Sequence, residues 1–575
     1  MIKTAMYTTN SVSISEALLS PRKCRGFLKM LRENPLLQTV EMINTYTIGR
    51  RKTDSFQAQL WTHMLQHDGL KSISLHNTNC VPQKPSHGGN PTRSDKLREL
   101  SITFCDLNLA SITWLRVHFA SHHSLERLVL SDNGMRDDSI EMLCKMLREN
   151  NSVTYLDISN NNFGDAAMRY ICCMLAEGAD KTCKLSKLVL ESNNLGDAGA
   201  ILLAETLSAS QQLKMLNVKD NNIGRRGIVA LINTLWHNTG LDTLSLAFNY
   251  TDTSTEMLLQ GALRANTTLR SLDVSMQQSD IISNWANDTV PYDNSNTQLD
   301  VVGLLRASLH IHYIRFDGVH TSTCEIGKIP ALLAAKTSLC RISFAGCGLS
   351  LSDVNQLAHG IGQNMGIEHL DLSNNELCVS SRLRGNTRVL GAEFWTAISR
   401  NTTLQVLKLP GNKLDIESMW HVATFLAANT TLLQLDIANN NIGGMGALVV
   451  LHALAKNKCL QQLDLRRNTT YSVSFSKLLS NIIKQRICMQ QQSTLHVHGI
   501  AFYITKTELQ VFKSERMHRS MQLTKDEIVK IWTRNCIERK LAFMLLTNSR
   551  LYRGPLTRLC VDTLRIILSF NIMLA

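Results

Sequence analysis

One pattern recurs along most of this chain at a nearly constant interval. Written as L-x-x-L-x-L-x-x-N, it stands in KLVLESNNLGD, MLNVKDNNIGR, HLDLSNNEL and QLDIANNNIGG. The first apolar residue of each unit falls at Leu70, Leu97, Leu125, Val153, Leu185, Leu213, Leu241, Leu269, Ile311, Leu339, Ile367, Leu404, Leu432 and Leu460. Nine of the thirteen steps are 28 residues long, and the others are 27, 32, 42 and 37. A fixed period of this length marks a repeat array, in which each unit buries its apolar face only against its neighbours. A chain of 575 residues built this way needs no single large core.

The unit has a physical reading. Its L-x-L centre predicts a short strand with alternate residues pointing inward. Nine residues into the unit stands Asn133, Asn161, Asn193, Asn221, Asn249, Asn375, Asn412, Asn440 or Asn468. An amide there can satisfy backbone groups of adjacent turns that would otherwise be buried unpaired. Cys105 and Cys347 take that slot in two units, and Val319 in another. A turn such as Ile223-Gly224 follows, then a helix. Residues 197–207 show helical spacing of apolar side chains, with Asp197 as the expected N-cap.

A strand plus a full helix at a 28-residue period resembles the ribonuclease-inhibitor type of leucine-rich repeat. That type also occurs in NOD-like receptors and Ran GTPase-activating proteins. The resemblance covers roughly residues 70–490. It implies an α/β fold: a curved solenoid with parallel strands on the concave face and helices on the convex face. It also implies an intracellular, reducing location. The expected organisation is an N-terminal cap over 1–69 with a degenerate repeat from Leu36, an array of about 14 units over 70–490, and a basic helical C-terminal cap over 491–575.

The departures from 28 fall at particular places. The 32 step adds EGADKTC, and the 42 step holds Trp285, Pro291 and Tyr292 within 277–298. The 37 step places Arg382, Arg384 and Arg388 near Phe394 and Trp395, and 81–96 is rich in Pro and Gly. Long surface loops cost little, so each reads first as a tolerated insertion and second as a recognition loop. Units between 300 and 335 fit the pattern worst, and a distortion of the array is expected there.

Composition narrows the function classes. Hydrophobic content of 44% and charged content of 19% exclude a disordered chain. The first residues lack an apolar signal core and no 18-residue apolar run occurs, so a soluble, cytoplasmic protein is expected. Fifteen cysteines without a CxxC pair read as reduced core thiols. Glycosylation sequons such as those at Asn266 and Asn429 stand just before strand leucines and read as turns. Of the net charge of +13, residues 469–575 carry +10. No phosphate-binding, dinucleotide, zincin or hydrolase motif is present. His496 and His498 alternate along a probable strand without a third ligand. The sequence therefore predicts no enzyme and no catalytic, cofactor-binding or metal-binding residue.

The third, fifth, seventh and eighth positions of each unit should line the concave face. Between 125 and 318 they include Asp157, Glu191, Lys219, Met276 and Asp317. The predicted partner-binding set is Arg127, Tyr155, Lys187, Met215, Phe248, Tyr313 and Arg315. Aromatic, Met and Arg side chains with both charge signs suit a protein partner, whereas DNA wants a mostly basic stripe. The basic C-terminal segment could touch nucleic acid or a membrane. Within it, LCVDTLRIILSF is similar to the opening of an F-box: Leu559, Asp562, Leu564, Ile567, Leu568 and Phe570 fit, while Cys560 replaces a proline and Thr563 an aliphatic residue. That implies a substrate receptor of a cullin-type ubiquitin ligase; an amphipathic helix capping the array is the simpler reading. A small-GTPase activator would need an acidic C-terminal region, and here that end is basic.

Overall fold

The computed structural model describes residues 5–7, 10–16, 18–19, 21–47, 50–82, 96–177, 183–250, 252–276, 299–319, 326–378, 389–454, 456–468 and 496–498. The chain divides into Met1–Phe502 and Tyr503–Ala575, and only the first is described. The expected C-terminal helices, the F-box-like segment and the insertion at 277–298 lie outside the described residues. So do the three arginines of the 37 step.

Apart from Leu18–Leu19 and Tyr46–Thr47, which pair with each other in a two-stranded sheet, each described strand hydrogen-bonds to the next one along the chain, giving one 18-stranded sheet. It starts with Ala5–Tyr7, Ser11–Ser15, Thr39–Ile43, Ser72–His76 and Glu99–Thr103, then proceeds through three-residue strands to His496–His498. Every pairing is parallel except that of Ala5–Tyr7 with Ser11–Ser15. Helices alternate with the strands and pack beside one another in a second layer. Parallel strands lie ~4.8 Å apart and packed helices 8–10 Å apart. Joining the two layers unit by unit therefore curves the sheet, with strands on the inner, concave side: an α/β solenoid.

The central leucine of each L-x-L strand points into the space between the layers. Leu128, Leu156, Leu188, Leu216, Leu244 and Leu272 are all buried. At the N-terminal side the sheet runs past Leu70. Leu37 is fully buried in the first position of its unit, whereas Leu36, expected to hold it, is 64% exposed. The Tyr313–Arg315 strand keeps register with both neighbours. The expected distortion thus does not break the sheet there, and Phe316 and Phe344 stack at 5.6 Å to fill the layer beneath.

Three ladders of polar side chains join the units. In the first, Asn161 donates from Nδ2 to the carbonyls of Leu130, Ile158 and Ser159 at 2.9–3.2 Å. Its Oδ1 accepts the backbone N–H groups of Asn133 and Met135. Asn440 repeats this arrangement on Leu409, Ile437 and Ala438. Cys105 and Cys347 replace the amide with a weak thiol donor aimed at the same carbonyl positions. The second ladder sits where helices end: Asn150, Asn266, Asn364 and Asn457 each donate to two carbonyls of the preceding unit and accept from two N–H groups of the next strand's approach. In the third, Asp137, Asp165 and Asp197 accept the N–H of Gly164, Gly199 and Gly227 at the start of the following helix. Asp197 therefore caps its neighbour's helix and not its own, whose N-cap is Leu195 without a side-chain bond.

Candidate functional site on the strand face

Parallel register turns equivalent positions into rows across the sheet. In the first row Arg127, Tyr155, Lys187 and Met215 pair one to the next, and the row continues through Thr243, Ser271, Tyr313, Arg341 and His369. The second row holds Asp157, Val189, Asn217, Ser245, Asp273, Arg315, Ser343 and Asp371. Neighbours in a row are ~4.8 Å apart, so these side chains form a continuous surface. The strands stop after three residues because an acid or amide in the second row captures the backbone two residues on. Asp157 Oδ1 accepts from Ser159 N, Asn217 Oδ1 from Lys219 N, and Asp273 Oδ1 from Ser275 N.

The predicted set falls into three groups along this surface. At the N-terminal end the Arg127 guanidinium lies 3.6 Å from the centre of the Tyr155 ring, and its Nε is 3.1 Å from Glu99 Oε1. A cation over an aromatic face is attracted by the ring quadrupole and holds both side chains in place. Burial pushes the Tyr155 hydroxyl above its ordinary pKa, and Asp157 adds to this. Next to this group stand Lys187, exposed, and Met215, half-buried.

Phe248 belongs to the middle group. Lys219 Nζ lies 4.8 Å from its ring centre and 2.6 Å from Glu191 Oε1, while Glu191 Oε2 accepts from Asn217 Nδ2. Phe248 has φ +56. The same unit position carries Phe104, at φ +55, and elsewhere Gly318, Gly346 and Gly411 or polar residues such as Asp132 and Asn374, also at positive φ. Left-handed backbone strains a bulky side chain and is tolerated by Gly, Asn and Asp, so the array keeps an aromatic ring where its own stability favours a small residue.

Tyr313 and Arg315 make the third group, on one strand. Arg315 Nε is 2.6 Å from Asp317 Oδ2, and its Nη1 is 3.8 Å from Asp273 Oδ2. Burial opposes the Arg315 cation, but Asp317, Tyr313 and Asp273 outweigh it and raise its pKa. Burial also raises the pKa values of Tyr313 and Asp273. Between the second and third groups the floor is small: Ser245, Ala247 and Ser275 are buried. Arg127, Lys219 and Arg315 are thus each matched to a carboxylate, while Lys187 is exposed among the rings and methionines. Sequence reasoning named Lys219, Glu191 and Asp317 as outward-facing. It did not find their pairing, because Glu191 and Lys219 are 28 residues apart and meet only through register.

Other sequence candidates land elsewhere. Phe394 and Trp395 are buried, with Trp395 Nε1 donating to Leu390 O, so they belong to the core. His496 and His498 pair with Gln462 and Asp464 in the sheet. Among the described residues no group of three metal-ligating side chains converges, and no helix is long and apolar enough to cross a membrane.

Residues 121–144, 149–172, 182–204 and 428–450 match a family model described as Leucine Rich repeat. No curated protein matches the chain. Among solved structures, a chain from "Crystal structure of TLR13-ssRNA13 complex" is similar at 14% identity and a TM-score of 0.37, over 81% of this chain. The match spans 59% of that chain's own length. The four matched segments are leucine-rich repeats.

Proposed function

We propose that this leucine-rich-repeat chain is a non-enzymatic, cytoplasmic scaffold of the ribonuclease-inhibitor-like subclass, which binds a protein partner on its concave strand face. The observation that carries this reading is Phe248, a strained aromatic held over Lys219 within a surface of internally paired charges. Protein interfaces concentrate their energy in aromatic, Met and Arg side chains surrounded by satisfied polar groups. Arg127, Tyr155, Lys187, Met215, Phe248, Tyr313 and Arg315 supply that chemistry. The helices of ten or more residues in most of the described units support the subclass.

Two features support a reducing compartment without N-glycosylation. Of the sequon asparagines, Asn150, Asn266, Asn401 and Asn468 are buried, and each uses Nδ2 to donate to at least two carbonyls, whereas Asn429 is half-buried and its Nδ2 donates to Thr431 Oγ1. A glycan on any of the buried ones would remove a rung of a ladder. The described cysteines are free and mostly buried, and burial pushes Cys80 up to about 12 and Cys105 and Cys172 to about 11. Such thiols are unreactive packing groups.

The test begins with affinity purification from the native cell to identify the partner. Replacing Tyr155, Phe248 and Tyr313 together by alanine then abolishes its capture while the thermal unfolding transition remains cooperative. Unchanged affinity in a folded triple variant would overturn the reading.

A further inference from the structure

The helix Pro21–Glu33 carries a second surface, on the opposite layer from the strand face. Its apolar side is consumed: Cys24, Phe27, Leu28 and Leu31 are buried at helical spacing. Arg25, Lys29 and Arg32 are exposed. Steps of four and three residues set these cations on one face, in a line about 10 Å long. Glu33 is the one acid of this helix and lies 3.7 Å from Lys29. On the neighbouring helix Arg50–Leu65, His63 Nε2 faces the Arg32 guanidinium at 2.7 Å, and burial together with that cation holds the His63 pKa below its ordinary value. The surroundings are basic as well. Residues 1–69 hold nine Lys and Arg against five Asp and Glu, whereas 70–468 hold 35 against 36. Residues 70–468 are therefore electrically balanced, and N-terminal to them Pro21–Glu33 carries five of the nine cations.

We infer that the outer face of Pro21–Glu33 docks on an anionic phospholipid surface through Arg25, Lys29 and Arg32. A line of one sign without apolar knobs offers a protein helix nothing to interlock with, and without aromatic rings it offers single-stranded RNA nothing to stack on. A charged membrane needs neither; it attracts a basic face by its surface potential. Leu36, three residues beyond the helix and largely exposed, supplies an apolar side chain at the end of the line that can enter the headgroup layer. This surface is separate from the strand face, and the two can be occupied together.

The experiment is co-sedimentation of the full chain with phosphatidylcholine vesicles containing roughly 30 mol % phosphatidylserine. Wild type is compared with Arg25→Glu/Lys29→Glu/Arg32→Glu and with the conservative Arg25→Lys/Arg32→Lys. Circular dichroism and the melting temperature verify that each is folded. Any contribution from the basic segment after residue 500 is common to all three. The charge-reversed chain should partition on the order of a hundredfold more weakly, while the conservative chain partitions as wild type and loses binding as salt is raised. Equal partition of wild type and charge-reversed chains overturns the inference. So does equal binding to pure phosphatidylcholine vesicles, or binding of an RNA oligonucleotide or polyglutamate where the vesicles are not bound.

Discussion

Asparagine does the work of holding neighbouring units together because it alone presents two donors and an acceptor on one short stem. Asn161 is buried and engages five backbone groups. Asn161→Ala should cost about 2–4 kcal/mol in urea unfolding, since it leaves buried amide groups without partners. Asn161→Asp keeps the acceptor and should lie between the two. At His63, burial and then Arg32 favour the neutral ring in the folded state. The unfolded chain takes up that proton at a higher pH, so the stability this ring contributes is complete above its ordinary pKa of about 6.5 and is lost as pH falls through it. His63→Gln should therefore flatten the fall in melting temperature between about pH 7 and pH 5, relative to wild type. At Phe248, replacement by Asn relieves left-handed strain, and the expected result is a higher melting temperature with weaker partner binding. The Asn slot was legible in the sequence because its chemistry fixes the residue type. The role of Asp197 was not, since nothing local distinguishes an acid that caps its own helix from one that caps the helix 30 residues later.

At the scale of elements, glycines and aspartates have to be read together. A side chain at Gly199 would place its Cβ 2.7 Å from Asp165 Oδ1 and 2.9 Å from Met168 Cγ. Gly199→Ala should destabilise by about 1–3 kcal/mol. In the Asp165→Ala background the same change should cost less, and a double-mutant cycle on melting would show the coupling. The strands and helices themselves were readable from period alone, since a one-residue shift would turn every strand leucine outward. Leu36 shows the limit of that reading. The step from Leu37 to Leu70 is 33 residues, and where spacing drifts only packing decides which of two adjacent leucines is buried. Of the helix-end asparagines the sequence reading named Asn266 and Asn429 as turns but not their bonding role, because their neighbours vary from Asn150-Asn151-Ser152 to Asn364-Met365-Gly366 while the backbone bonds recur.

For the whole molecule, the repeat period made the sheet order and its parallel register legible in advance. The pairing of charges across the strand face was not, since it depends on residues one repeat apart lying side by side. The strand face is rich in rings and matched ions, and the first helix offers a single-sign line; the two surfaces differ in chemistry and lie on opposite layers. The central claim is that the strand face binds the partner. Amide hydrogen exchange of the full chain, with and without the partner captured from the native cell, tests it most directly. Added protection should concentrate at the exits of the strands from Arg127–Val129 to Tyr313–Arg315. Protection confined to the helices, with the strand exits unchanged, would contradict the account.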